Sequence, residues 1–331
     1  MAKVTVLVPV DASGSIRRLG PILRLFSLPY GDFEIEVAGD VSSIVESRSM
    51  SLDALSGFRL MVKVLHDNSR RLNGLVHAFF WYTRPGARLI LETDQSPGQF
   101  FTGYLNMTLI KAPVKALYGD SIIITWSRWA RGGLLRDGFN DEQVKVVPLP
   151  YIESLFRVKA TKNKAIAFVG YDYYRKGGDL ALKVMATVKS IDPSVETIYI
   201  GQIPHGIPKF IDRYYTYLPR SKVLKILAES MVALAPSRHE AYGLAAMDAM
   251  ANKAIVVATD VEGLGEFVKA NGGIVCPLGD LNCLIENTLR YLNKRENEAR
   301  ANLQHQRLVE NHNLSKIRNM MRKIYEEALS R

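Results

Sequence analysis

Two acidic residues, Glu240 and Asp248, mark the stretch PSRHEAYGLAAMDAM at residues 236–250. The apolar run MVALA before it predicts a strand, and the small apolar residues after Gly243 predict a helix. Glu240 alone would be interpreted as an acid that caps a helix, because acids are favoured near a helix start. The second acid lies two turns further along an otherwise apolar helix. Together they favour a different interpretation, in which the two carboxylates hold a ligand.

The turn itself is predicted to bind an anion. It lies between the carboxyl end of a strand and the amino end of a helix, where free N–H groups and the helix dipole favour negative charge. Gly243 leaves the backbone open to close approach. The N–H groups concerned belong to Ala241, Tyr242, Gly243 and Leu244.

A second loop carries two adjacent cations. It follows the predicted strand AIAFVG, which ends at Gly170, and it holds Arg175 and Lys176 just before Gly177 and Gly178. Two cations ahead of a helix start, reached by flexible glycines, suit a diphosphate. An Arg-Lys pair in a loop is by itself usually solvated surface. Its position at an equivalent strand end of the same sheet favours binding here.

Two further loops extend the pattern. ATDVEGLGEFV places Gly263, Gly265 and Glu266 after another strand, and PVDASGSIRRLG places Gly14 and Ser15 after the first strand of the chain. The latter is not a dinucleotide fingerprint, because the G-x-G-x-x-G spacing is absent, and it is not a P-loop, because no G-K-[ST] follows.

The elements that must position these loops alternate between apolar strands and amphipathic helices. Continuous apolar strands in such an alternation predict an α/β fold with parallel sheets covered on both faces. Pro148 and Pro150 interrupt the pattern, which then restarts. We therefore predict two Rossmann-like domains facing a cleft, at residues 1–150 and 151–312, followed by one long amphipathic helix at residues 313–331.

The composition is that of a globular protein. The 331 residues suffice for two cores, and 47% are hydrophobic and 23% charged. The net charge of +10 favours anionic partners such as nucleotide phosphates, anionic lipid or nucleic acid, and it is equally consistent with a basic surface that has no partner. No RNA-binding signature or zinc-ligand spacing is present, which disfavours nucleic acid.

The cysteines and the apolar segments predict the cellular compartment of the protein. Cys276 and Cys283 offer no disulfide framework and no metal-ligand pattern, which favours unpaired thiols in a reducing compartment. The start of the chain lacks the features of a signal peptide, and no apolar segment approaches the ~20 residues that span a bilayer. We therefore predict a cytoplasmic protein. The basic amphipathic stretch LSGFRLMVKVLHDNSRRL leaves two alternatives open, peripheral membrane contact and packing on its own sheet, of which the second is favoured.

Several of these stretches carry a resemblance to one family. PSRHEAYGLAAMDAMANKAIVVATDVEGLGEFV resembles the signature region of the family-four retaining glycosyltransferases (glycosyl transferases group 1), which have the GT-B fold. FVGYDYYRKGGDLAL resembles their Arg-Lys diphosphate clamp, and VKVVPLPYIESLF resembles their inter-domain connection. The resemblance is specific over residues 165–290 and weaker but collinear over residues 1–160. It implies an acceptor-binding domain at residues 1–150, a donor domain at residues 151–312 and a last helix that crosses back onto the first domain.

The resemblance implies roles for the residues of the donor domain. Glu240 would bind the hydroxyls of the donor sugar, and Asp248 would take the hydroxyls of the nucleotide ribose. Arg175 and Lys176 would neutralise the β-phosphate as the leaving group departs, which is where charge develops. The backbone at 241–244 would hold sugar and phosphate.

Two glycines complete the implied donor site. Gly170 would contact the donor, and Gly14 would let the backbone of the first domain close over the diphosphate. The donor would be a UDP- or GDP-linked sugar. Neither a metal nor a further cofactor is required, because the two cations and the helix end supply the positive charge.

Three departures from the family pattern stand out. The second acid is Asp248 where glutamate is more usual, and the glycine loop reads Glu262-Gly263 with an inserted-looking Leu264. After the strand RLILETD the family often has a histidine, and here the chain has Thr93 and Asp94. Either Asp94 orients the acceptor as a catalytic residue or the leaving phosphate acts as the base. His77, in GLVHAFF, is predicted to be a core histidine, or one that supports the site from behind, and not a substitute for the missing histidine.

The function predicted from the sequence is that of a retaining hexosyltransferase. It would move a sugar from a nucleoside-diphosphate donor to a glycan, lipid or small-molecule acceptor without a metal. The alternative from a different class is a non-catalytic nucleotide-sugar or glycan-binding protein of the same fold, which the missing histidine supports. A nucleotide-sugar epimerase is disfavoured by the paired acids and the Arg-Lys loop in this order. A nucleic-acid-modifying glycosyltransferase rests on charge alone.

Overall fold

A computed structural model gives the fold over residues 1–9, 16, 18–40, 74–79, 88–100, 115 and 118–331. The chain forms two compact units, one made of residues 1–150 with residues 314–331 and one made of residues 151–313. Gly14 and the predicted amphipathic stretch around residues 55–72 lie outside the described residues.

The first unit contains a parallel sheet of six strands. In sheet order the strands are β2 (Glu34–Asp40), β1 (Lys3–Pro9), β3 (Leu75–Phe79), β4 (Arg88–Thr93), β5 (Ile122–Thr125) and β6 (Val144–Val146). The described helices up to residue 150 are α1 (Leu19–Phe26), α2 (Pro97–Phe100) and α3 (Arg128–Arg136). The central strands are buried along nearly their whole length, as expected for parallel strands covered on both faces.

An ion pair is fully buried in this unit. The side chains of Arg24 and Glu92 are both 0% exposed, and Arg24 Nε donates to the two Glu92 oxygens at 2.8 and 2.9 Å. Trp126 Nε1 also donates to Glu92, and His77 Nε2 lies 3.1 Å from it. Burial raises the pKa of Glu92, but Arg24, His77 and Trp126 together hold this pKa below its ordinary value. Glu92 is therefore a charged core residue.

The second unit repeats the architecture with a second parallel sheet of six strands. In sheet order they are β12 (Ile274–Cys276), β11 (Ile255–Thr259), β10 (Ser230–Ala235), β7 (Asn163–Val169), β8 (Glu196–Ile200) and β9 (Arg213–Tyr215). The helices are α4 (Glu153–Phe156), α5 (Gly178–Ile191), α6 (Arg220–Glu229), α7 (Leu244–Ala251), α8 (Glu262–Ala270), α9 (Leu281–Tyr291) and α10 (Lys294–Asn311). The sequence did not predict β9, because it is a short edge strand without an apolar run.

The last helix, α11 (Leu314–Ser330), belongs to the first unit. Its buried residues recur at helical spacing and form one stripe: Ile317, Met321, Ile324, Tyr325 and Ala328. Tyr325 Oη lies 2.9 Å from Nδ1 of His77, so the buried polar network extends to this helix. The prediction of His77 as a core histidine agrees with its complete burial.

The prediction of unpaired cysteines is wrong in this structure. Cys276 ends β12, Cys283 lies in the first turn of α9, and the two form a disulfide. The turn between them is closed by Asp280, which caps α9 by accepting from the N–H of Cys283, and the two Cα atoms lie 5.7 Å apart. Cysteine spacing alone does not show such a reversal of the chain.

Among the described helices, none is both long and apolar enough to cross a membrane.

Candidate functional site

Three loops of the second unit meet at one edge of its sheet. They follow β7, β10 and β11, and β10 lies between the other two strands and pairs with both in parallel. Because the carboxyl ends of parallel strands lie at the same edge, the loops that carry Lys176, Glu240 and Glu262 are neighbours. This is the edge at which open α/β sheets bind their ligands.

Glu240 lies against both predicted cations. Lys176 Nζ donates to Glu240 Oε2, and Arg175 Nη1 is 3.7 Å from the same oxygen. Arg175 is held in turn by Asp172, whose Oδ2 accepts from Nε at 3.0 Å. The side chains of Lys176 and Glu240 are 20% and 16% exposed, so their charges are screened less than those of a surface pair. Glu240 Oε1 accepts no hydrogen bond from any described residue, which leaves one oxygen for a ligand hydroxyl.

The loop after β7 is held against the loop after β10 by close backbone contacts. Gly177 has a φ of 69°, and a Cβ on it would lie 1.9 Å from the carbonyl oxygen of Pro236. The N–H of Arg238 donates to the carbonyl of Arg175 at 2.8 Å. The sequence suggested that glycines make this loop flexible. The structure instead uses Gly177 for close approach, which fixes the position of the two cations.

Gly170 has a packing role at the start of the same loop. A Cβ on it would lie 2.8 Å from Cβ of Lys176, and its N–H donates to the carbonyl of Ile200 at 2.9 Å. A side chain at this position would therefore displace the catalytic candidate Lys176.

The helix start after Glu240 differs from the prediction. Gly243 is the N-cap of α7 with a φ of 111°, and the helix begins at Leu244, so Ala241 and Tyr242 belong to the preceding turn. Tyr242 is buried, and its ring packs against Phe267 with centroids 5.3 Å apart. Because the side chain of Tyr242 is buried, only the backbone of this residue is left for ligand contact.

Asp248 does not join the cluster around Glu240. A cavity at this edge is lined by Lys176, Glu240 and one face of α7, including Ala245, Ala246 and Ala249. Asp248 lies on a different face of this helix, almost fully buried, and its Oδ1 accepts from Nη2 of Arg220. Burial raises the pKa of Asp248 to about 6, and Arg220 partly opposes this effect. Its role toward a ribose remains a prediction.

The residue that sequence reasoning missed is Glu262. Its Oε2 accepts from the N–H of Glu240 at 2.7 Å, and its Oε1 lies 3.0 Å from Nδ1 of His239. The predicted contacts of this loop were Gly263, Gly265 and Glu266. The signal that could have identified Glu262 is its place among the three departures from the family pattern, where the glycine loop reads Glu262-Gly263.

In the first unit, Asp94 is the predicted site residue that the structure describes. Asp94 lies, partly exposed, in the loop directly after β4. Its neighbours Glu92 and Thr93 are buried, so Asp94 is the acid of this segment that faces outward in part. Among the described residues, no group of three or more His, Cys, Asp and Glu side chains is placed to hold a metal ion.

Two Rossmann-like units with these strand orders are the GT-B fold, as predicted, and solved glycosyltransferases with this fold match it. Sucrose-phosphate synthase from Thermosynechococcus elongatus superposes with a TM-score of 0.70, covers 100% of both chains and is 14% identical. HepE from Anabaena, solved with UDP and glucose, has a TM-score of 0.69, covers 99% of this chain and 100% of its own, and is also 14% identical.

Comparison of the sequence with protein families and curated proteins also finds glycosyltransferases. Residues 163–294, which lie within the second unit, match the model of the family described as Glycosyl transferases group 1, the family that the sequence resembled. The D-inositol 3-phosphate glycosyltransferase of Segniliparus rotundus is 30% identical over 233 residues, which are 58% of this chain and 52% of that protein. The chain spans about half the length of the curated relatives that it matches.

Proposed function

We propose that this chain is a glycosyltransferase that moves a hexosyl group from a nucleoside-diphosphate sugar to an acceptor hydroxyl, with retention of configuration and without a metal. The observation that carries the proposal is the contact of Glu240 with Lys176, with Arg175 beside it, at the carboxyl edge of the second sheet. A UDP-linked donor is favoured over a GDP-linked one because HepE was solved with UDP and with UDP-glucose. The acceptor class is a glycan, a lipid or a small molecule.

The proposed reaction places charge where the cations lie. The bond between the anomeric carbon and the β-phosphate oxygen breaks, and negative charge develops on the departing diphosphate. Lys176 and Arg175 stabilise this charge from a partly buried site, where electrostatic stabilisation is largest. The acceptor hydroxyl attacks from the same face, forms the new glycosidic bond and passes its proton to the departing phosphate oxygen. Glu240 holds a hydroxyl of the donor sugar through its open oxygen.

The two units divide the work in this proposal. The second unit, residues 151–313, binds the donor, and the first unit binds the acceptor. Asp94 is proposed to orient the acceptor hydroxyl from the loop after β4. The alternative, in which the leaving phosphate alone acts as base, predicts that Asp94→Asn keeps the rate of transfer.

Ligand-induced stabilisation tests the donor site. UDP at a hundredfold its dissociation constant is expected to raise the free energy of unfolding by about 2.7 kcal/mol. For a unit of this size the melting temperature should rise by about 5–10 °C. We would measure thermal unfolding with UDP, GDP, ADP and UDP-glucose, first with EDTA and then with Mg²⁺. A shift for one base in EDTA supports a metal-independent site, and no shift with any of the four contradicts it.

The anomeric configuration and the release of UDP test the enzyme class. Transfer from UDP-glucose to an acceptor library, with the product followed by NMR, should give an α-linked product, because the donor is α-linked. Binding of UDP-glucose without any transfer or hydrolysis would favour the non-catalytic nucleotide-sugar-binding protein.

The affinity for UDP-glucose is expected to depend on pH through Asp248. Its pKa of about 6 means that the carboxyl group is ionised above pH 6 and neutral below it, and only the ionised form accepts two ribose hydroxyls well. Affinity should therefore fall about tenfold between pH 7 and pH 5. UDP-glucose is the right probe because its diphosphate is a diester and does not titrate in this range. Titration calorimetry of Asp248→Asn should show an affinity that does not change between pH 7 and pH 5. If the affinity of this variant falls as it does in the wild type, Asp248 does not bind the ribose.

A further inference from the structure

Glu262 has an unusual backbone conformation. Its φ is 47°, in the left-handed region, and among the described residues only Lys253 and Glu262 have positive φ without being glycine. Lys253 follows the C-cap of α7, where left-handed residues commonly end helices. Glu262 is the first residue of α8, a position where helices need no such conformation. A side chain kept there at a conformational cost points to a purpose at this loop.

In its left-handed conformation, Glu262 hydrogen-bonds the backbone of Glu240. Its carboxylate accepts the N–H of Glu240 at 2.7 Å, and two residues further on the N–H of Leu264 donates to the carbonyl of Glu240 at 3.1 Å. Both backbone polar groups of Glu240 are therefore held by the start of α8. The side chain of Glu240 is held separately by Lys176.

The contact of Glu262 with His239 does not account for the strain by itself. The side chain of His239 is 73% exposed, and ion pairs of exposed side chains contribute little to stability. The hydrogen bond to Glu240 is different, since Glu262 is 25% exposed and Glu240 only 16%. A charged acceptor on a partly buried N–H forms a strong hydrogen bond. The peptide at Glu240 is thus the group that the conformation of Glu262 fixes.

We propose that Glu262 is a positioning residue that fixes the peptide of Glu240 and thereby aims the Glu240 carboxylate at the donor sugar. The inference rests on the proposed function, in which Glu240 holds a sugar hydroxyl. It adds a residue of the third loop to the donor machinery without direct contact with UDP. Loss of Glu262 should therefore change the handling of the sugar and leave the nucleotide affinity alone.

The decisive comparison is between Glu262→Gly and Glu262→Gln. Glycine adopts the left-handed conformation freely and removes the acceptor, whereas glutamine keeps an oxygen acceptor for the N–H of Glu240. We expect kcat with UDP-glucose to fall at least about tenfold in the glycine variant, because misplaced catalytic groups lose rate steeply. The dissociation constant of UDP should stay within about twofold, and the glutamine variant should recover most of kcat.

Lys253→Gly is the matched control. It relaxes the second left-handed position of the same unit, whose side chain contacts Asn302 and not the Glu240 loop. Its kcat and KM should equal those of the wild type. Equal losses in the Lys253 and Glu262 glycine variants would overturn the inference, because relaxation of any strained residue would then explain the effect.

Amide hydrogen exchange separates this inference from the proposed function. The exchange rate of the Glu240 amide, measured without ligand, should rise in Glu262→Gly and stay low in Glu262→Gln. This measurement needs no substrate, so it decides the positioning role even if the wild-type protein transfers no sugar. If the Glu240 amide exchanges as slowly in Glu262→Gly as in the wild type, the inference is overturned. If the wild type binds no nucleotide, only the proposed function is overturned.

Discussion

Replacing Lys176 with alanine is expected to lower the rate of sugar transfer by about 10²–10³-fold, the usual loss when one preorganised group that stabilises developing charge is removed. Lys176 is proposed to neutralise the departing β-phosphate, and Gly177 and Gly170 hold its backbone in place. The variant also leaves Glu240 with Arg175 as its cation, 3.7 Å away. Release of UDP from UDP-glucose, with and without acceptor, measures the effect.

Two variants calibrate this result. Lys164 lies near the start of β7, at the opposite end of the strand, and pairs with Asp192 on the surface. Lys164→Ala removes the same charge from the same unit and should leave transfer unchanged. Arg175→Ala should give a smaller loss than Lys176→Ala, since its guanidinium is already engaged by Asp172. Equal rates in the Lys176 and Lys164 variants would show that the β7 loop is not the diphosphate site.

Replacing Glu92 with alanine is expected to destabilise the first unit by about 3–5 kcal/mol, because the charge of Arg24 would remain buried without its partner. Arg24 is fully buried and donates to Glu92 through Nε, and its other nitrogens donate to the carbonyls of Val147 and Pro148. The guanidinium therefore has no route to solvent in the folded unit. Denaturant unfolding, with separate probes for each unit, measures the loss.

Glu36→Ala provides the contrast for Glu92→Ala. Glu36 pairs with Lys3 on the same sheet, but both side chains are more than half exposed, and its loss should be nearly neutral. Replacing Arg24 and Glu92 together by Met and Leu should restore much of the stability, since no buried charge is then unpaired. A large loss in the double variant as well would mean that the packing and the hydrogen bonds of these side chains, and not an unpaired charge, set the stability of this core.

The pKa of Glu92 gives this core a pH dependence with a defined sign. The folded pKa is held below the ordinary value, so the ionised form stabilises the folded state. This contribution is complete above the unfolded pKa of about 4.3 and disappears as the pH falls through the lower folded pKa. The first unit should therefore lose stability in acid more steeply than its Glu92→Gln variant, which carries no titrating group at this position.

The buried network also gives a structural context for the missing histidine after β4. In the segment Glu92-Thr93-Asp94, the first acid is held in the core by the charge of Arg24 and by a contact with His77. Thr93 is buried and hydrogen-bonds the loop through Gln95. Among these three residues only Asp94 is partly exposed, so it stays the proposed contact with an acceptor.

Periodicity and local motifs were sufficient for the architecture. The continuous apolar strands predicted parallel sheets, and the apolar spacing of residues 314–330 predicted a long helix. The stretch around Glu240 carried a resemblance to the family whose model matches residues 163–294. These features are local, since they depend on side chains a few positions apart. The placement of Arg175, Lys176 and Glu240 at neighbouring strand ends also followed from sequence, because the loops that carry them follow strands of one parallel sheet.

Contacts that depend on how the chain brings separate residues together could be seen only in the tertiary structure. The disulfide of Cys276 and Cys283 depends on a turn that spacing does not reveal, and the burial of Glu92 depends on Arg24, which lies 68 positions away. The contact of Glu262 with Glu240 arises from a left-handed residue, and no residue type except glycine predicts that conformation. Sequence by itself determined which residues are available at each strand end. Folding decided which of them touch, because hydrogen bonds and ion pairs form within a few ångströms and such distances are set by packing.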